Sequence, residues 1–347
     1  MNGKPPKFTS TWKTIPNPQF DAKGIYRKEL APPPFMRHYL TFRTRSIPNI
    51  GDVYREFKAY LSKSDLGIEA VLADIHAHAG YYAAMALDKE TDPELAASFG
   101  DLRELNVDVA YPLLLELYQD YRQKLLTRAD FIAAVRLVEA YVLRRAVCAV
   151  PTNTLNKTFA SFAQPLDKNN YLESIGARFA GLAGRYRLPD DAEFSHGLKN
   201  SLLYGRRCLK LLLRQLENQG RKEPVPVAEF TIEHILPQNT DLSEAWRADL
   251  GPDWQNVQAT WLHTLGNLTL TGYNPEYSDR PFLEKRDMPG GFAHSPLRLN
   301  EGLGQLPLRA PTVPPPYPLP MLSMPPKWLS HRRIGGFMSA HDTLAGA

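Results

Sequence analysis

Two short runs of strand-forming residues place the tightest constraint on how this chain can fold. Residues 230–232 (Phe-Thr-Ile) and 268–271 (Leu-Thr-Leu-Thr) are rich in β-branched, aromatic and apolar side chains, which is typical of strands. After the second run, Asn274 and Pro275 form the pair expected at the N-cap and first position of a helix. The pattern predicts two paired short strands followed by a helix.

The segment between the two strands is also predicted to be ordered. Residues 242–250 and 254–262 carry Trp246, Trp254 and Trp261. This is too much aromatic bulk for a solvated loop, since such large side chains are normally buried by packing. We therefore expect helical or otherwise ordered insertions that pack beside the strands.

The chain before the strands is predicted to be helical. Residues 35–221 carry apolar side chains at three- and four-residue spacing, the period of a helix with one buried face. Residues 126–147 show this pattern most clearly. The predicted fold class is therefore mainly α, with a helical domain at residues 35–222 and a small α+β domain at residues 223–304.

Both ends of the chain differ in composition from the segments between them. Residues 1–34 are rich in proline and polar residues, and we expect them to form a flexible leader. Residues 305–347 contain nine prolines and show neither helical nor strand periodicity. We expect this second segment to be a mostly disordered tail.

Composition and charge exclude some classes of function but do not identify the function of this chain. A chain of 347 residues that is 43% hydrophobic can form domains with real cores, and its net charge of +4 is compatible with a polyanionic partner without establishing one. The two cysteines lack metal-site spacing, which favours buried thiols in a reducing compartment. There is no apolar run of about 20 residues and no signal peptide. We expect a cytoplasmic protein with no membrane partner.

The predicted strands bring together residue types that hydrolysis of a phosphodiester requires. Such a reaction needs a base for the attacking water and positive charge near the scissile phosphate. His234 is the candidate base, because an imidazole is largely neutral at physiological pH. Asn267 follows a glycine, and its amide is predicted to orient either the surrounding loop or the imidazole itself.

Side-chain oxygen atoms before and after His234 in the sequence suggest a site for a hard metal ion. Glu233 precedes the histidine, and Asn274 stands at the start of the predicted helix. Mg²⁺, or Mn²⁺ in its place, needs few protein ligands and keeps several waters, so one carboxylate and one amide oxygen are sufficient. Neighbouring side chains on a strand point to opposite faces, so Glu233 and His234 can share one metal centre only if the strand bends.

Basic residues on two segments are candidates to contact a nucleic-acid backbone. One group lies on the predicted last helix and could contact phosphates. The other group lies just before the strands. For this second group, the alternative to DNA binding is a helix face whose charged side-chain ends lie in water. The predicted phosphate-binding residues are Lys285, Arg286, Arg206, Arg207 and Lys210.

The ordered set of motifs resembles a known family. Its signature is carried by residues 233–238 (Glu-His-Ile-Leu-Pro-Gln), residues 265–270 (Leu-Gly-Asn-Leu-Thr-Leu), Asn274, Phe282 and Lys285. The block resembles the C-terminal HNH, or His-Me finger, nuclease domain of GmrSD-type modification-dependent (type IV) restriction endonucleases. The helical part is similar to the segment that precedes this nuclease domain, notably at residues 35–40, 53–58, 144–148 and 154–157.

The resemblance implies a magnesium-dependent HNH endonuclease, with a ββα-metal fold, that cleaves double-stranded DNA containing modified cytosines in phage defence. Complete family members also carry an N-terminal domain with an Asp-Gly-Gln-Gln-Arg-type motif, which this sequence lacks. One expectation is therefore a separately encoded, nucleotide-dependent N-terminal subunit. For the proline-rich end we expect either a shifted reading frame or a gene remnant. The alternative is an inactive, truncated fragment that serves as a helical interaction or DNA-binding subunit.

Overall fold

A computed structural model describes residues 34–162 and 166–306 of the chain. These residues are mostly helical and include a sheet of two strands, which confirms the predicted mainly α class. The predicted leader, apart from Pro34, and the predicted tail from residue 307 onward lie outside the described residues.

Helices make up the described chain up to residue 218, as the sequence periodicity predicts. The helix predicted at residues 126–147 is present as the longest of them. The helices are α1 Pro34–Thr44, α2 Val53–Lys63, α3 Ile68–Ala86, α4 Pro93–Leu105, α5 Tyr111–Arg122, α6 Arg128–Val147, α7 Leu155–Ser161, α8 Tyr171–Ala180, α9 Asp191–Asn200 and α10 Cys208–Asn218.

The remaining elements form the predicted strand, insertion, strand and helix order. The two tryptophan-containing segments are both helical, as expected. In chain order the elements are β1 Thr231–His234, α11 Glu244–Leu250, α12 Trp254–Trp261, β2 Leu268–Thr271, α13 Asn274–Tyr277, α14 Phe282–Asp287 and α15 Arg298–Gly304.

The chain divides into two compact units. Among the described residues, the first comprises residues 34–103, 107–138, 153–162 and 166–178, and the second comprises residues 104–106, 139–152 and 179–306. In the first unit, aromatic and aliphatic side chains of α1, α2 and α3 pack into one core, as expected for helices with one apolar face. Its fully or nearly fully buried members are Phe35, Met36, Tyr39, Leu40, Val53, Val71 and Ile75.

In the second unit, β1 and β2 form an antiparallel pair in which Thr231 lies opposite Thr271 and His234 opposite Leu268. The chain that leaves β1 enters the hydrophobic core directly, because Ile235 and Leu236 are both fully buried. The rest of that core comes from the insertion and the C-terminal helices. These side chains are Leu242, Trp246, Tyr277, Phe282, Phe292 and Leu303.

Helix α15 covers the second strand through polar bonds as well as apolar packing. Asn300 is fully buried and donates from its amide nitrogen to the carbonyl of Leu270 at 3.0 Å, while its Oδ1 accepts the hydroxyl of Thr269 at 2.5 Å. A carboxylate from α10 accepts the first backbone amides of α15. Glu217 is fully buried and accepts the N–H groups of Arg298 and Leu299 at 3.1 and 3.0 Å.

Replacing Glu217 with alanine is expected to lower the free energy of unfolding of the second unit by about 2–3 kcal/mol. The substitution removes a charged cap and leaves buried amide donors without a partner. Urea unfolding followed by tryptophan fluorescence measures this loss, because Trp246, Trp254 and Trp261 all lie in the second unit. The exposed Glu223→Ala is the matched control, and equal midpoints for the two variants would contradict the expectation.

Two further observations concern the cysteines and the length of the helices. Both cysteines are free thiols, and burial raises the pKa of Cys148 to about 11. No helix within residues 34–162 and 166–306 combines the length and apolar character that crossing a membrane requires.

Candidate active site

His234 is the last residue of β1, and its ring is enclosed by two other aromatic rings. Its side chain is only 5% exposed. The edge-on ring of Tyr204 lies 4.3 Å from it, centroid to centroid. The Nε2 atom of His234 lies 3.3 Å from Nδ1 of His263, within hydrogen-bonding distance. The candidate base is therefore held in one place by two neighbours.

Burial, together with the nearby His263 and Lys285, lowers the pKa of His234 to about 4. The imidazole is consequently neutral at physiological pH and has one nitrogen with a free electron pair. This is the protonation state that a general base requires.

Asn267 fixes the backbone that follows His234. It is fully buried, and its Oδ1 accepts the N–H of Leu236 at 2.7 Å. Its amide nitrogen donates to the carbonyls of Leu236 and Leu262, at 3.0 and 2.9 Å. Of the two orienting roles predicted for this amide, these contacts match the one that holds the loop, and the imidazole itself is contacted by His263.

Glu233 lies on the opposite face of β1 from His234, as strand geometry predicts. Its Oε1 accepts a hydrogen bond from Nζ of Lys285 at 2.6 Å, and both side chains are almost completely buried. The same ammonium also donates to the carbonyls of His234 and Ile235, at 3.1 and 3.3 Å. Lys285 of α14 therefore ties three successive residues of β1 and the following loop to the helix.

Burial raises the pKa of Glu233 and lowers the pKa of Lys285, while the contact between the two groups opposes both changes. Each charge is thus stabilised mainly by the other, because little water reaches either one. A buried pair of this kind is sensitive to removal of a single partner.

Replacing Lys285 with methionine is expected to destabilise the second unit by about 3–5 kcal/mol at neutral pH, since it leaves the carboxyl of Glu233 buried and unpaired. The unpaired carboxyl has a raised folded-state pKa, so the folded form holds its proton at higher pH than the unfolded form. The loss therefore grows as pH rises from about 4.3, the usual glutamate value.

Urea unfolding at pH 5 and pH 8 measures both the size and the direction of this effect. The exposed Lys199→Met is the control, and the double variant Glu233→Gln, Lys285→Met should recover part of the loss. A single variant as stable as the control would show that the pair contributes nothing.

Asn274 is docked on β1 through its amide nitrogen. This atom donates to the carbonyl of Ile232 at 2.8 Å and to the hydroxyl of Thr231 at 3.3 Å. Asn274 is the first residue of the short helix α13, whereas the sequence predicted it as the N-cap. The nitrogen faces the strand, which leaves the Oδ1 oxygen as the atom that can serve another partner.

The donor atoms of Glu233 and Asn274 are of the kind that suits a hard divalent cation. Glu233 and Asn274 offer carboxylate and amide oxygens, the ligand types that Mg²⁺ prefers, and zinc would call for more nitrogen or sulfur. Within the described ranges, no three His, Cys, Asp or Glu side chains are grouped so that they could hold a metal ion. A cation at Glu233 would share the carboxylate with Lys285 or displace its ammonium.

The structure corrects the expected role of the basic residues on α14. Lys285 is fully buried, and Arg286 is 5% exposed and donates to Asp287 and to the carbonyl of Leu306. Neither charge is presented to a DNA backbone. The other candidates lie nearer the surface: Arg207 and Lys210 are exposed, while Arg206 is half-buried and donates to the carbonyl of Ala146.

Sequence reasoning missed two aromatic members of the site. Tyr204 belongs to the loop between α9 and α10, where Gly205 turns the chain with a φ of +77°. This loop bonds to the segment before β2, because the carbonyl of His263 accepts the N–H groups of Leu203 and Tyr204 at 2.7 and 3.2 Å. For His263, the sequence offered one signal, its position four residues before Asn267. For Tyr204 it offered none, because this residue contacts His234 across 30 positions of the chain.

Comparison with known proteins identifies a similarity in the same region of the chain. The second unit contains a stretch similar to part of a restriction endonuclease, a class of enzymes that act on DNA. Residues 188–311 match the family model of the C-terminal domain of GmrSD restriction endonucleases. The match includes Tyr204, both strands and α15. No curated protein sequence matches the chain significantly.

Proposed function

We propose that the chain is a metal-dependent DNA endonuclease of the HNH type that belongs to a modification-dependent restriction system. The observation that carries this proposal is a neutral, buried His234 at the end of a two-stranded hairpin, inside a region that matches a restriction endonuclease domain. Asn267 and Lys285 hold the backbone of that histidine and of the two residues after it.

In the proposed reaction, His234 accepts a proton from the water that attacks the scissile phosphorus. The bond from phosphorus to the leaving sugar oxygen breaks as the new bond to the water oxygen forms. A Mg²⁺ or Mn²⁺ ion bound by Glu233 and Asn274 would supply positive charge beside the phosphate and the leaving oxygen. The exposed Arg207 and Lys210, with Arg206, are proposed to contact the DNA backbone.

The finer assignments rest on the family resemblance. Double-stranded DNA with modified cytosines is the proposed substrate, and a separately encoded nucleotide-dependent subunit is the proposed partner. One observation favours a second candidate, a non-catalytic DNA-binding or interaction subunit. The carboxylate of Glu233, a proposed metal ligand, is already paired with Lys285.

Cleavage of supercoiled plasmid by the purified chain separates the two candidates. The assay uses Mg²⁺ or Mn²⁺, with EDTA as the control, and compares plain plasmid with plasmid containing hydroxymethylcytosine. Metal-dependent nicked or linear product supports the endonuclease. Intact plasmid in every arm, including one with an encoded N-terminal partner, would overturn it, and retained DNA binding would then support the second candidate.

A further inference from the structure

The ring of His263 is fixed more firmly than an ordinary surface histidine. It is stacked on Tyr204, with the two ring planes 11° apart and their centroids 5.2 Å apart. Its backbone carbonyl is held by two amides of the Tyr204 loop, and the next residue, Thr264, forms an isolated β-bridge with Leu202. The Nδ1 atom of His263 is thereby kept at 3.3 Å from Nε2 of His234.

Two hydrogen-bonding arrangements are compatible with this contact when both rings are neutral. If His263 donates, Nε2 of His234 accepts, and the single proton of His234 sits on Nδ1, so neither nitrogen is free for a water molecule. If His234 donates, its proton sits on Nε2 and its Nδ1 keeps a free electron pair. Only the second arrangement leaves His234 able to act as a base.

We propose that His263 is a positioning residue that accepts the Nε2 proton of His234, and so fixes the tautomer in which Nδ1 faces the attacking water. This inference rests on the proposed endonuclease function for its catalytic consequence. Tyr204 supports it by holding both rings: it stacks on His263 and meets His234 edge-on at 4.3 Å. His263 does not itself contact the reacting atoms in this account.

The first test reads the tautomer directly and does not depend on cleavage. Long-range proton–nitrogen correlation spectra of the full chain with ¹⁵N-labelled histidine distinguish a proton on Nε2 from one on Nδ1. The signal of His234 is assigned by its loss in His234→Gln. The wild-type protein is expected to carry the proton on Nε2, and a proton on Nδ1 would overturn the proposal whatever the His263 variants do.

Two variants of His263 separate hydrogen bonding from packing. His263→Phe keeps a ring against Tyr204 but offers no acceptor, so the Nε2 tautomer of His234 should no longer be held. His263→Asn places an amide oxygen near the position of Nδ1, so it should retain the tautomer. The exposed His196→Phe on α9 is the matched control and should behave as the wild type does.

Kinetics on a metal-loaded, cleavage-competent protein give the second readout. In His263→Phe, kcat is expected to fall about tenfold, roughly the contribution of one hydrogen bond, while KM stays nearly unchanged. His263→Asn should recover most of this loss. A His263→Phe protein with wild-type kcat and an unchanged His234 tautomer would overturn the inference, as would a His263→Asn protein as impaired as His263→Phe.

The two hypotheses fail in different ways. If the wild-type protein does not cleave DNA under any condition, the proposed function fails, yet the spectra still show whether His263 accepts the Nε2 proton. If the wild-type protein cleaves and the spectra place the proton on Nδ1, the endonuclease stands and the role of His263 is rejected.

Discussion

Replacing His234 with alanine is expected to reduce the rate of DNA cleavage by about 10²- to 10⁴-fold, the usual contribution of a general base. The variant should remain folded, because the main hydrophobic core of the second unit is formed by other side chains. The reduction should appear in kcat, since the imidazole acts on the water and contributes little to DNA binding. Single-turnover cleavage of a supercoiled plasmid measures it.

A second histidine provides the matched control for this prediction. His196 is exposed on α9, within the same matched domain, and His196→Ala should cleave at the wild-type rate. The depressed pKa of His234, about 4, also predicts that protonation of the base limits wild-type cleavage only near that pH. Cleavage by His234→Ala at the rate of His196→Ala would remove His234 from the site.

Replacing Asn267 with alanine is expected to destabilise the second unit by about 3–5 kcal/mol. The side chain makes three hydrogen bonds in a fully buried position, and its loss leaves the amide and carbonyl of Leu236 and the carbonyl of Leu262 without these partners. Each buried polar group that loses its partner costs about 1–3 kcal/mol, and some relaxation reduces the sum. Tryptophan fluorescence in urea measures the change.

Aspartate at the same position sharpens this test. Asn267→Asp keeps the oxygen that accepts from Leu236 but places a second carboxylate oxygen against two carbonyls, so it should be about as damaging as alanine. The exposed Asn256→Ala on α12 is the control. A mild effect from both substitutions at Asn267 would show that the loop after His234 is held by other contacts.

The two strands and the order of the residues along them could be predicted from the sequence, because the patterns that indicate them lie within a few neighbouring residues. Residues 268–271 were predicted as a strand and form β2, and residues 230–232 overlap β1. Glu233 and His234 point to opposite faces of β1 because side chains alternate between the two faces of a strand. Asn267 was predicted to hold the loop or the imidazole, and its bonds run to the loop.

Contacts between distant segments could not be predicted in this way. Lys285 looked like a surface cation because basic residues near a helix end usually are, yet it lies 52 positions from Glu233 and is buried against it. Tyr204 and His263 are brought to His234 by a bridge between the α9–α10 loop and the segment before β2. Neither the periodicity of the sequence nor the spacing of its motifs predicts such long-range contacts.

Rescue of a glycine variant by imidazole tests the role of His234 most directly. In His234→Gly, the missing ring leaves a cavity beside Tyr204 and His263 that free imidazole can enter. We expect the variant to cleave poorly alone, and added imidazole to restore cleavage in proportion to its neutral fraction as pH is varied. Wild-type cleavage that persists undiminished in His234→Gly without imidazole would contradict the account.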